Sequence, residues 1–70
     1  MTRQDARAIA ETALTTVDTG GYDDTYEYVG DTTIVVGRDN HGYWVTDNGE
    51  EVSGLTRKQA KSAIIENLTA

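Results

Sequence analysis

The hydrophobic period of this chain changes twice, from helical to a period of two at Tyr22 and back to helical after Glu51, and few architectures accept that order. Ala6, Ile9, Ala10, Ala13, Leu14 and Val17 recur at helical spacing and predict a first helix over about 3–18. Thr2 caps its first turn with Asp5 three residues on, and Gly20 and Gly21 supply the residues that stop it. A second helix over about 57–69 follows from Thr56 as cap, Gln59 reaching back to it, and Leu55 placed to meet Ala60. Its buried stripe is expected to be Ala60, Ala63, Ile64 and Leu68, with Ile65 at the edge.

Between the helices, turn residues cut the chain into four short strands, about 25–29, 32–37, 43–46 and 50–53. The expected fold is therefore α+β, in the order α-β-β-β-β-α, with a small antiparallel meander sheet carrying both helices on one face. At 70 residues this is a single domain over 1–70, large enough to bury only about 60% of the surface its unfolded chain exposes. No cysteine is present to staple so small a core, which makes association with a partner or a second copy attractive.

Turn chemistry also sets which side chains share a face. Val29-Gly30-Asp31-Thr32 fits a two-residue hairpin with glycine first, which puts Val29, Thr32, Ile34 and Val36 on one face with Glu27 at its rim. Tyr26, Tyr28, Thr33 and Val35 then share the other, and the aliphatic set is the expected core. Asp39-Asn40-His41-Gly42 reads as a longer loop. The last hairpin has two registers: an Asn48-Gly49 turn pairs Val45 with Val52 and turns Trp44 away, whereas a bulged Asp47-Asn48-Gly49 turn pairs Trp44 with Val52 in the core. The Asn-Gly pair favours the first, and the need to bury the largest side chain favours the second. The balance falls slightly to a buried Trp44, which leaves Tyr43 and Val45 beside Tyr26, Tyr28 and Val35 on the open face.

Charge follows the same division. Residues 22–51 carry one basic and eight acidic side chains, together with all five aromatics, while residues 52–70 carry three basic and one acidic. A field of net charge −6 repels nucleic acid and anionic membranes and steers toward basic partners, although acidity also serves solubility. Arg57, Lys58 and Lys61 crowd the positive end of the second helix, a placement that needs compensation. Asp47, Glu50 and Glu51 of the preceding hairpin are the expected partners, an anion at the helix start being the other reading.

Little in the chain points to catalysis, so it reads as a non-enzyme without a cofactor. His41 is the only histidine, in a turn-rich stretch, with no second histidine or cysteine to share a metal. The aspartates and glutamates lack the spacing of a calcium loop, and Gly20-Gly21 precedes no helix that could cradle a phosphate. Asn67-Leu68-Thr69 matches the glycosylation triplet without a secretory signal, and no run is long enough to span a membrane, so the chain reads as cytoplasmic.

One stretch resembles a known kind of module. Residues 42–64, GYWVTDNGEEVSGLTRKQAKSAI, look like the strand, turn, strand, helix unit of many small phage and mobile-element proteins and of the arm-type DNA-binding domains of phage integrases. Trp44, Asn48-Gly49, Thr56 and Ala60 carry the likeness. It implies the architecture; integrase arm domains have basic strands, whereas these carry Asp47, Glu50 and Glu51.

The leading expectation is a small acidic interaction protein, of phage or mobile-element type, whose sheet binds a basic protein surface. It could act as an inhibitor in which carboxylates stand in for phosphates. The candidate surface is Tyr26, Tyr28, Val35 and Tyr43 with Asp23, Asp24, Glu27, Asp31, Glu50 and Glu51. A second expectation is a dimeric DNA-binding regulator using Arg38, Arg57, Lys58 and Lys61, and a third is a subunit that self-assembles through the tyrosine face.

Overall fold

In a computed structural model that describes all 70 residues, helix α1 (Arg3–Gly20) is followed by strands β1 (Tyr26–Val29), β2 (Thr33–Asp39), β3 (Gly42–Asp47) and β4 (Glu50–Leu55), then helix α2 (Arg57–Thr69). The strands form an antiparallel meander in chain order, and both helices pack on the same face of it, as the periodicity predicts. Helix α1 lies over β1 and β2, and α2 over β3 and the neighbouring part of β4. Neither helix is long and apolar enough to cross a membrane.

The caps form as their residues dictate. Thr2 Oγ1 accepts from Asp5 N at 3.1 Å, and the Gly21 N–H, at φ +83°, donates to Val17 O. At α2 the capping box closes in both directions, with Gln59 N donating to Thr56 Oγ1 at 3.1 Å and Thr56 N to Gln59 Oε1 at 2.9 Å. The core comprises Ala6, Ala10, Ala13, Leu14 and Val17 of α1, Ile34, Val36 and Val45 of the sheet, and Ala60, Ile64, Ile65 and Leu68 of α2. Ile65 is fully part of it rather than at its edge, and Ala63 is half-buried.

The first hairpin differs from its expected form by one residue, with large consequences. Val29 pairs with Thr33, not Thr32, so Gly30-Asp31-Thr32 make a three-residue loop closed by Gly30 N donating to Thr32 O. Asn48 pins the start of β2, since its N donates to Thr33 O at 2.9 Å and its side-chain oxygen accepts from Thr33 N at 3.0 Å. Because strand side chains alternate, a slip of one residue turns the whole of β1 over. Tyr26 now opposes Val36 and Tyr28 opposes Ile34, so both tyrosines lie against the helices, half-buried on the core. Val29 moves out of the core and is 70% exposed.

The other two hairpins are tight. Asp39 pairs with Gly42, so Asn40-His41 is a two-residue turn rather than a longer loop. Asn48 and Gly49, at φ +50° and +92°, make the two-residue turn that the Asn-Gly pair signals, and Val45 pairs with Val52. Trp44 therefore points away from the helices, contrary to a core position opposite Val52. Tyr43 and Val45 point toward them, contrary to their place on an open face. A bulge between the Tyr43 and Val45 pairings, with Gly54 at φ +68°, lets Leu55 pair with Tyr43 and rejoin the core.

Candidate functional site

The face of the sheet that no helix covers is built from the alternate residues of each strand. One row runs straight across it, as Glu27 opposes Val35, Val35 opposes Thr46, and Thr46 opposes Glu51. Both ends of this row are exposed carboxylates, about 14 Å apart from the spacing of four strands. The neighbouring row holds Gly37 of β2 opposite Trp44 of β3. On the other side, Val29 and Thr33 extend the apolar surface to the edge of β1.

Gly37 and Trp44 fit each other closely. A β-carbon placed on Gly37 would stand 2.1 Å from Trp44 Cζ2, 2.4 Å from Cε2 and 2.8 Å from Nε1, so the ring fills the place of the missing side chain. The indole buries Gly37 beneath it and stays partly exposed itself. This is an aromatic side chain covering a cross-strand glycine, which fixes the ring across the sheet rather than leaving it to swing in solvent.

The carboxylates of the β region, Glu27 and Glu51 of this face among them, have no cations to balance them. Every ion pair in the structure uses Glu11 or Asp18 of α1, so none of the eight acidic side chains between Tyr22 and Glu51 is in an ion pair. Asp39 only accepts from the backbone N of His41, at 2.8 Å, to shape its turn. Asp47 stands directly opposite Glu50, a pairing of like charges that costs stability.

The basic residues are distributed differently from the expected strip. Arg57 Nε donates to Asp18 Oδ2 at 2.9 Å, and Lys61 Nζ lies 2.6 Å from Glu11 Oε1. The compensation at the start of α2 is internal, as charge balance requires, but it comes from α1 and not from Asp47, Glu50 or Glu51. The reason is mutual: Asp18 is misplaced at the negative end of α1 and Arg57 at the positive end of α2, and each corrects the other. The Tyr43 hydroxyl also donates to Asp18. These hydrogen bonds, that from Tyr43 first, hold the Asp18 carboxyl below the usual aspartate range, while burial and then Asp18 push the Tyr43 phenol upward. The hydrogen bond from Lys61 does the same for Glu11. Arg38 lies with its Cζ 5.3 Å from the centroid of Tyr22, and Lys58 alone of the four has neither contact.

Of the candidate surface residues, the fold thus brings Val35, Glu27 and Glu51 together on the uncovered face. It takes Tyr26, Tyr28 and Tyr43 to the helix side. Asp23 and Asp24 are exposed in the loop before β1, and Glu50 lies on the helix side of the exposed edge strand β4. Asp31, in the first hairpin loop, lines a cavity of about 120 Å³ with Met1, Tyr28, Asn67 and Leu68. Trp44 is among the residues that pattern reading misplaced, and the Asn48-Gly49 turn was the signal for its position. No three His, Cys, Asp or Glu side chains converge on a point that could hold a metal. Compared with known proteins, the chain matches no family model, no curated protein and no solved structure.

Proposed function

We propose that this chain is a small non-enzymatic interaction protein, of the kind carried by phages and mobile elements, that binds a basic protein surface through the uncovered face of its sheet. The observation that carries the reading is the separation of charge. All ion pairing lies between the two helices, while none of the eight carboxylates of the β region has a cation partner, and two of them, Glu27 and Glu51, flank a face holding Val29, Val35 and Trp44. Apolar contact at the centre with charge at the rim suits protein recognition, the rim setting approach and orientation. One form of this function is an inhibitor that occupies a nucleic-acid-binding groove, the carboxylates taking the place of phosphates.

The same charges oppose the pairing of two copies across this face, since like would meet like. They also repel a duplex, and the basic residues proposed for DNA contact are largely engaged elsewhere, Arg57 and Lys61 with carboxylates and Arg38 with Tyr22.

Amide shift mapping with an oligoarginine peptide as the basic probe tests the reading. The expected result is a shift pattern centred on Glu27, Val35, Trp44, Thr46 and Glu51. Shifts centred instead on the exposed helix carboxylates Asp5 and Glu66, or no shifts at all, would contradict it.

A further inference from the structure

We infer that Trp44 is a platform for the guanidinium group of an arginine on the bound partner, which therefore presents arginine rather than lysine to this face. The inference rests on the binding reading above and adds to it the chemistry of the central contact. Three observations support it.

First, the ring is held ready. The indole is anchored against Gly37 on one side, where even a methyl group would stand 2.1 Å from it, and it remains partly exposed on the uncovered face. An aromatic ring already fixed loses little freedom when something stacks on it.

Second, the surroundings select a cation. The row beside Trp44 ends in Glu27 and Glu51, and no carboxylate of residues 22–51 has a cation of its own. Indole offers the strongest cation–π surface among the side chains, and nearby free carboxylates add to the negative potential. They argue as strongly against a nucleobase, which would bring its phosphates with it.

Third, an indole with carboxylates on the same face favours a planar cation. A guanidinium can lie flat on the ring while its N–H groups reach outward in the same plane to carboxylates, and it sheds water more readily than an ammonium. The chain makes one contact of this type internally, with Arg38 over the ring of Tyr22.

The test compares oligoarginine and oligolysine peptides of equal length, measured by calorimetry and by the fluorescence of Trp44, the only tryptophan. The expected result is about two- to five-fold tighter binding of oligoarginine, with a change in Trp44 emission on binding. Trp44→Leu should bind the two peptides equally, and Trp44→Phe should retain part of the preference. Circular dichroism confirms that each variant is folded; if the leucine variant is not, the phenylalanine variant alone decides, since undiminished preference there contradicts an indole contact.

Equal binding of the two peptides by the native chain would overturn this inference and leave the broader reading standing. A preference that survives in Trp44→Leu would do the same. Binding of neither peptide would overturn both. Tight binding of a single-stranded oligonucleotide to Trp44, or burial of Trp44 by dimerisation in sedimentation, would replace arginine as the occupant and overturn the inference.

Discussion

The indole of Trp44 stands where a side chain on Gly37 would be, across the β2–β3 ladder, so the conformation of the only tryptophan depends on a glycine in the neighbouring strand. The two positions are thereby coupled. Gly37→Ala is expected to cost about 1–3 kcal/mol, because the new methyl would stand 2.1 Å from the ring and must displace it. In Trp44→Leu the same change should cost less, so chemical denaturation of the two single variants and the double variant should give a non-additive cycle. Strict additivity would mean that the ring is free to move away.

Asp18 joins the two helices to the sheet by accepting from both Arg57 and Tyr43. Asp18→Asn keeps the shape and removes the charge, and it is expected to lower stability by about 1 kcal/mol, discounted for partial exposure. The same change in a Tyr43→Phe background should cost less than in the native chain. Thermal unfolding of the four proteins measures this coupling.

The pH dependence follows from the same cluster. Asp18 and Glu11 have depressed pKa values in the fold, so the unfolded chain binds their protons first as pH falls. Their contribution is present above the ordinary carboxylate range, about pH 4, and is lost as pH drops through the lower folded values. Tyr43 behaves oppositely, its raised pKa giving a contribution that is present below about pH 10 and declines as pH rises through the higher folded value. Denaturation midpoints from pH 2 to 11 should therefore fall at both ends. The acid limb should shrink in the Asp18→Asn variant.

Leu14, fully buried in α1, is the most demanding core position because three of its neighbours in the stripe, Ala6, Ala10 and Ala13, are small. Leu14→Ala should cost about 2–5 kcal/mol. A chain of this length has roughly 4–10 kcal/mol in total, so the variant is expected to be substantially unfolded at 37 °C by circular dichroism. A fully cooperative, native-like melt would mean that the core lies elsewhere.

The order of elements, both caps and most of the core were legible in the sequence because each rests on local rules. Thr56 and Gln59 satisfy each other within one turn, and the spacing of Leu14 and Val17 identifies a buried stripe without reference to the sheet. The faces of the sheet were not legible to the same degree. Gly30-Asp31-Thr32 accepts either loop length, and what fixes it is Asn48, fifteen residues beyond Thr33 in the chain, gripping the backbone of Thr33. That contact moves Tyr26 and Tyr28 from the open face to the helix side. Thin alanine stripes leave room for such half-buried rings, whose hydroxyls can still reach water at the rim. Trp44 was misjudged for a related reason: size argued for burial, whereas the strand places it over Gly37, which hides much of the ring without using the core. The partners of Arg57 and Lys61 were likewise beyond local rules, since they lie on the other helix.

The most direct test of the account is the salt dependence of oligoarginine binding by the native chain and by a Glu27→Gln/Glu51→Gln variant, with Asp5→Asn/Glu66→Gln as a charge-matched control. Binding through the uncovered face predicts affinity that falls steadily with salt and is abolished near 1 M, where charges are screened over about 3 Å. It also predicts a clear loss in the sheet variant and nearly native binding in the control. Equal weakening in the two variants, or affinity indifferent to salt, would contradict it.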